Sequence, residues 1–254
     1  VMRILAVAHN TFREAVRDKV LYVLVFFALA TLLGSKALGW ISIGQEIKIV
    51  KDFSLAAVSV FGVLIAIFVG TSLVYKEIDK RTIYTIVCRP MSRYEFVLGK
   101  YFGMAALLGV VTGVMGIAGA AYVTMLGGTV DGTYIYAVVL TYWELLMVTA
   151  FATLFSSLTS PILGAIIVFC IYVVGHATTI LVDLPSHFDG TTSKKVLEIV
   201  YYIVPNFSNF NIRAEAANNV AVSFDYVVWA TAYGTIYTAM LLVLAALAFE
   251  NKDV

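Results

Sequence analysis

Long uncharged runs alternate with short charged ones along this chain. Residues 20–38, 53–75, 96–125, 134–157, 161–184 and 226–249 each carry about the twenty predominantly apolar residues that crossing a hydrocarbon layer as a helix requires. Six transmembrane helices are expected. The stretch before the first reads differently. Ile4, Leu5, Ala8, Phe12, Ala15 and Val16 recur at three- and four-residue spacing, with Arg3, Asn10, Arg13, Glu14 and Arg17 between them. This predicts an amphipathic helix over 2–18, lying in the membrane interface or extending the first span.

Between the first two spans the pattern expects a polar loop with Gln45, Glu46, Lys48, Lys51 and Asp52, part of it on the membrane surface through Ile41, Ile43, Ile47 and Ile49. The third run contains Gly99/Gly103 and Gly109/Gly113, each pair at G-x-x-x-G spacing. That spacing serves tight internal packing or, in the sharper reading, association with a second copy. Residues 185–225 form the longest hydrophilic region. Within it, 196–205 is apolar but too short to span and is expected to be an interfacial or re-entrant helix. The stretch 206–219, rich in Asn and Ala, predicts a second short helix.

Composition agrees with this pattern. The 254 residues are 61% hydrophobic and 13% charged, against a charged fraction of about 25% in soluble domains. The first 19 residues, with Arg3, Arg13, Arg17 and Lys19, do not resemble a cleavable signal peptide. Charge sorting sets the expected orientation. With six spans and both termini on one side, that side carries 11 Lys and Arg against 6 on the other. The positive-inside bias then puts the termini in the cytoplasm. A net charge of +1 gives no reason to expect a nucleic-acid partner. Cys88 and Cys170 fall in a charged and an apolar segment, so no disulfide is expected.

Most of the charge asymmetry comes from 76–100, which holds six of the 17 basic residues. Glu77 and Asp79 open this segment and Arg89 closes it, the order the helix dipole favours. Ile78, Thr82, Thr85 and Ile86 share one face; Lys80, Ile83, Tyr84 and Val87 share another. Apolar residues on two faces fit a helix buried on one side by the membrane interface and on the other by a protein groove. Pro90 ends it. The blander reading is a positive-inside anchor without a partner. Arg93 to Tyr101 has the rough outline of a phosphate loop, but Tyr94 stands at its first glycine position and Tyr101 where a metal-binding Ser or Thr belongs. No nucleotide site is expected there.

Inside the spans, Glu144 is a functional candidate by default, with a protonated packing role as the alternative. Tyr172 and His176 lie in the fifth run. No second ligand stands at metal spacing beside His176, so a hydrogen-bonded cavity histidine is the expected role. There is no Gly-x-Ser-x-Gly elbow and no His-Glu-x-x-His, and acidic residues are scattered, so an enzyme is not expected.

The sequence Glu77, Arg81-Thr82, Pro90-Met91-Ser92-Arg93 and Gly99-Lys100 resembles the signature of the type-2 class of ABC exporter permeases. The lead-in Asn10 to Lys19 and the tail Phe249 to Asp253 are similar to members of the same class. Within it the chain is most similar to the group associated with multicopper-enzyme maturation. The resemblance implies one all-α permease domain over 1–254, in the inner (cytoplasmic) membrane, paired with a second copy or paralogue. It implies a separate cytoplasmic ABC ATPase that binds ATP and Mg; the chain itself holds neither. The ATPase would push on a coupling helix at 76–93, through Glu77, Lys80, Arg81, Thr82, Ile83, Tyr84, Arg89, Pro90 and Arg93. Glu144, Tyr172 and His176 are the candidates for the translocation path, and a hydrophobic or amphipathic cargo is expected. The alternative is a non-transporting subunit that transmits ATPase motion through 185–225 to a periplasmic partner.

Overall fold

The computed structural model describes residues 2–39, 45–79, 93–177 and 204–250, which are helical without a strand among them. Among the described residues eight α-helices follow in order: α1 (Met2–Val16), α2 (Lys19–Gly39), α3 (Glu46–Asp79), α4 (Arg93–Met125), α5 (Gly132–Leu158), α6 (Pro161–His176), α7 (Arg213–Ala217) and α8 (Phe224–Glu250). A 3-10 turn, Phe207–Phe210, precedes α7. Among the described residues five helices, α2, α3, α4, α5 and α8, are long and apolar enough to cross a membrane. The apolar α6 is shorter, and the remainder of the expected fifth span, 178–184, lies outside the described residues.

Local chemistry sets the helix ends. Asp18 separates α1 from α2, its side chain accepting from the Val20 amide at 3.0 Å as an N-cap does. At the end of α4 the amides of Gly127 and Gly128 return to the carbonyls of Thr124 and Val123, with Gly127 at φ +81°. This is a Schellman close, and it needs the left-handed conformation glycine adopts freely. Pro161 starts α6, where its missing N–H costs no hydrogen bond.

The core lies between α3 and α5, each 67% buried over its span, whereas α2 and α8 are 22% and 28% buried and flank it. α5 packs against α3, α4, α6 and α8; α2 packs on α3, and α1 on α4. The helices alternate in direction. At one end, Lys51 at the start of α3 meets Asp131 before α5, and Tyr136 packs near Phe224 at the start of α8. At the other, Phe96 of α4 stacks on Phe249 of α8. α1 and both flanks of the 80–92 connection lie at this second end.

Several expectations need adjustment. The polar loop is shorter than its charges suggest: α3 begins at Glu46, so Lys51 and Asp52 are helical, and Lys51 is only 1% exposed. A buried lysine is tolerated because acceptors from two other segments reach it. The short helix expected over 206–219 is instead two pieces, the 3-10 turn and α7. Asn206 caps the first piece through the Ser208 amide, and Asn211 accepts from the amide and Nε of Arg213, so local side-chain bonds compete with a continuous helix. Most of the expected helix over 196–205 lies outside the described residues.

Within 204–212 the rings of Phe207 and Phe210 reach well inside the bundle, whereas Asn211 is exposed. Phe207 lies against Gly175, and Phe210 against Gly234, ten residues below the start of α8. At 1.5 Å per residue that is about 15 Å of depth. Irregular backbone survives at such depth only when protein satisfies its polar groups. Here the Asn206 amide donates to the Tyr233 hydroxyl at 3.0 Å, and the Asn209 carbonyl accepts from Tyr226 at 2.8 Å. The Ser208 hydroxyl donates to the His176 carbonyl at 3.1 Å.

Candidate functional site

Glu144 is the one acidic side chain buried among the described residues, at 2% exposure. It stands twelve residues into α5, about 18 Å from the Lys51–Asp131 end. α6 brings two partners to it. Tyr172 and His176 are four apart and therefore share a helix face. His176 Nε2 lies 3.4 Å from Glu144 Oε1, an ion-pair distance when the imidazole is protonated; among the described residues neither Oε1 nor His176 Nδ1 has a hydrogen-bond partner. The Tyr172 hydroxyl lies 3.5 Å from the Ser59 hydroxyl of α3. The three translocation-path candidates, scattered over thirty-three residues of sequence, form one cluster.

The 3-10 turn closes that cluster with a ring. Phe207, fully buried, lies 5.6 Å from Tyr172 and 5.9 Å from His176 between centroids, and the Tyr172 and His176 rings are 4.6 Å apart. Arg213, at the start of α7, adds a positive field felt by Glu144, Tyr172 and His176. Chemically, this is a buried carboxylate with one oxygen that accepts no hydrogen bond, walled by aromatic rings and 3.4 Å from an imidazole nitrogen. A buried carboxylate short of hydrogen bonds is costly, which favours a proton on it or a positive partner beside it. No set of three His, Cys, Asp or Glu among the described residues is arranged to hold a metal.

Sequence reasoning missed a second group. Lys51 Nζ donates to Asn219 Oδ1 and lies 3.7 Å from Asp131 Oδ2. It thereby ties α3 to the α4–α5 turn and to the end of α7. Asn219 sits at φ +56°, and the Val220 amide returns to the Glu215 carbonyl, a Schellman close with asparagine in the left-handed position. Thr133 adds a hydroxyl bond to the Val220 carbonyl at 3.1 Å. The only sequence signal was Asn218-Asn219 after an Ala-rich stretch. Lys51, Asn218 and Asn219, with Gln45, Glu46 and Lys48, line a cavity of about 650 Å³ at this end.

The expected ATPase-facing residues are placed less fully. Glu77 lies in the last turn of α3 and Arg93 opens α4, while Lys80, Arg81, Thr82, Ile83, Tyr84, Arg89 and Pro90 lie outside the described residues. Lys100 does not face solvent. It is 3% exposed, 3.4 Å from Glu14 of α1 and 5.7 Å from the centroid of Phe96. The Gly99/Gly103 pair receives α1: a Cβ on Gly99 would meet Val7 Cβ at 2.6 Å, and one on Gly103 the Ala8 carbonyl at 2.5 Å. Packing within the chain therefore accounts for this pair.

A family model described as ABC-2 family transporter protein matches residues 5–254. No curated protein matches the chain.

Proposed function

The chain belongs to the ABC-2 transporter family, as a multi-pass membrane permease subunit of an ABC transporter, and from that premise we propose that it is half of an ATP-driven exporter. The match over 5–254 carries this reading, because it takes in the bundle and the connection between α3 and α4 together. Permeases of this family work with separate cytoplasmic ABC ATPases. ATP and Mg belong to that partner, and the chain contributes no nucleotide site.

In this reading α6 continues beyond His176 to complete a sixth span. The end carrying α1, the 80–92 connection and the end of α8 is cytoplasmic, in the inner membrane. The 76–93 segment is the coupling helix that receives the ATPase, and a second permease copy or paralogue completes the transporter. The path runs past Glu144, Tyr172 and His176, whose burial between α3, α5 and α6 places polar chemistry inside an otherwise apolar bundle. The cargo is hydrophobic or amphipathic.

The test is co-purification with the ATPase, followed by ATPase measurement in lipid. Glu77→Ala and Arg81→Glu are expected to abolish association or coupling while the protein remains inserted. Wild-type ATPase stimulation by both variants contradicts the assigned interface. Stimulation by a periplasmic protein but by no small molecule or lipid points to the non-transporting, force-transmitting alternative.

A further inference from the structure

The cluster around Glu144 contains a chemical pattern of its own. On one side are a buried carboxylate with an unpartnered oxygen, a phenol and an imidazole, carried by the long packed helices α5 and α6. On the other are an apolar ring, Phe207, and a guanidinium, Arg213, both carried by the segment 204–220. That segment is anchored differently from the helices. It is held by side-chain bonds to Tyr233, Tyr226 and the His176 carbonyl, and at its far end by Lys51 and Thr133. Opposite Phe207 the wall is bare backbone, because Gly175 has no side chain to fill the contact. Arg213 is partly buried, with Nε donating to Asn211 Oδ1 at 3.0 Å. The segment thus sets an apolar ring against the Glu144 cluster and brings a positive charge into its neighbourhood.

We propose that Glu144, Tyr172 and His176 form the head-group subsite for a lipophilic organic cation, a place covered in this conformation by the chain's own Phe207, with the Arg213 charge nearby. This inference rests on the permease reading and names the class of cargo. The chemistry is that of cation recognition generally. A carboxylate supplies the opposite charge and aromatic faces supply the polarisable wall, in a site stripped of water where both act strongly. Withdrawal of 204–213 removes a ring and a positive field together and leaves a negative, aromatic-sided pocket. A cation with an apolar body restores both. A lipophilic anion restores the apolar contact alone and meets the carboxylate.

The test uses the full-length protein in lipid nanodiscs, with empty nanodiscs as the partition control. The probes are tetraphenylphosphonium and tetraphenylborate, ions of matched shape and opposite charge. Wild-type protein is expected to bind the cation saturably and in preference to the anion. Glu144→Gln, which keeps the shape of the side chain, lowers cation affinity about tenfold or more, a change of about 1.4 kcal/mol. Glu144→Asp recovers part of the loss. Arg213→Ala, which removes the competing charge, raises cation affinity, a response that a purely structural role for the cluster does not give. The proposal is overturned if neither the wild type nor Arg213→Ala binds the cation saturably, if both ions bind equally, or if Glu144→Gln leaves cation affinity unchanged. ATPase association is measured separately on the same preparations. Intact ATPase coupling without charge discrimination sinks the cation subsite and leaves the permease reading standing. Charge discrimination without any ATPase partner does the reverse.

Discussion

Gly175 makes room for the Phe207 ring beside the Glu144 cluster. Its missing side chain lets Phe207 lie against α6, and a Cβ there would also come within 2.6 Å of the Pro205 carbonyl. Backbone cannot yield as the tip of a flexible side chain can, so Gly175→Ala must push 205–207 away. Overpacking of this kind costs about 1–3 kcal/mol. The expected outcome is a lowered unfolding midpoint in detergent, with faster amide exchange over 206–210 and unchanged exchange in α4. Unchanged exchange over 206–210 contradicts the wedge role given to Phe207. Lys51 is the contrasting residue. A lysine at the edge of a polar stretch reads as solvated, and nothing in its neighbours in sequence announces Asp131 or Asn219, which stand 80 and 168 residues away.

At the scale of elements, α1 is a packed helix as well as an amphipathic one. Thr11 and Ala15 are fully buried and face α4, while Met2 and Leu5 remain 89% and 64% exposed. The apolar stripe is therefore shared between a protein groove and an outer face suited to the membrane interface. The glycines of α4 divide accordingly. Gly99 and Gly103 admit α1, whereas a Cβ on Gly113 meets nothing within 4 Å. Gly103→Val is expected to peel α1 from α4, with faster proteolysis inside 2–16. Gly113→Val is expected to keep the unfolding free energy of the isolated chain within about 0.5 kcal/mol of wild type. Equal effects of the two substitutions contradict this division. If Gly113→Val instead weakens self-association alone, the open glycine belongs to an interface between copies.

For the whole molecule, the alternation of helix directions puts the Gly127–Asp131 turn and the α5–α6 break at opposite ends. Single cysteines at Thr129 and Ser160, in a background carrying Cys88→Ser and Cys170→Ser, therefore report opposite faces. The expected result in intact cells is labelling of Thr129→Cys by an impermeant maleimide, with Ser160→Cys labelled only after permeabilisation. The reverse pattern inverts the orientation taken from the positive-inside count. Labelling of both from one side contradicts α5 as a span.

The sequence alone determined the helical membrane class, because a span is a local property: about twenty apolar residues in a row need no partner to be recognised. It determined the positions of α2, α3, α4, α5 and α8 to within a few residues, with the largest discrepancy at the start of α3. It also singled out Glu144, Tyr172 and His176 one by one, since a polar group in an apolar run stands out without reference to anything else. Tertiary structure decided what no local pattern encodes. It brought those three residues together, took Lys51 out of water by supplying distant acceptors, and set the Phe210 ring against Gly234, about 15 Å along α8. The physical reason is the same in each case. The stabilising partner of a buried polar group is chosen by proximity in space, and residues far apart in the chain supply it.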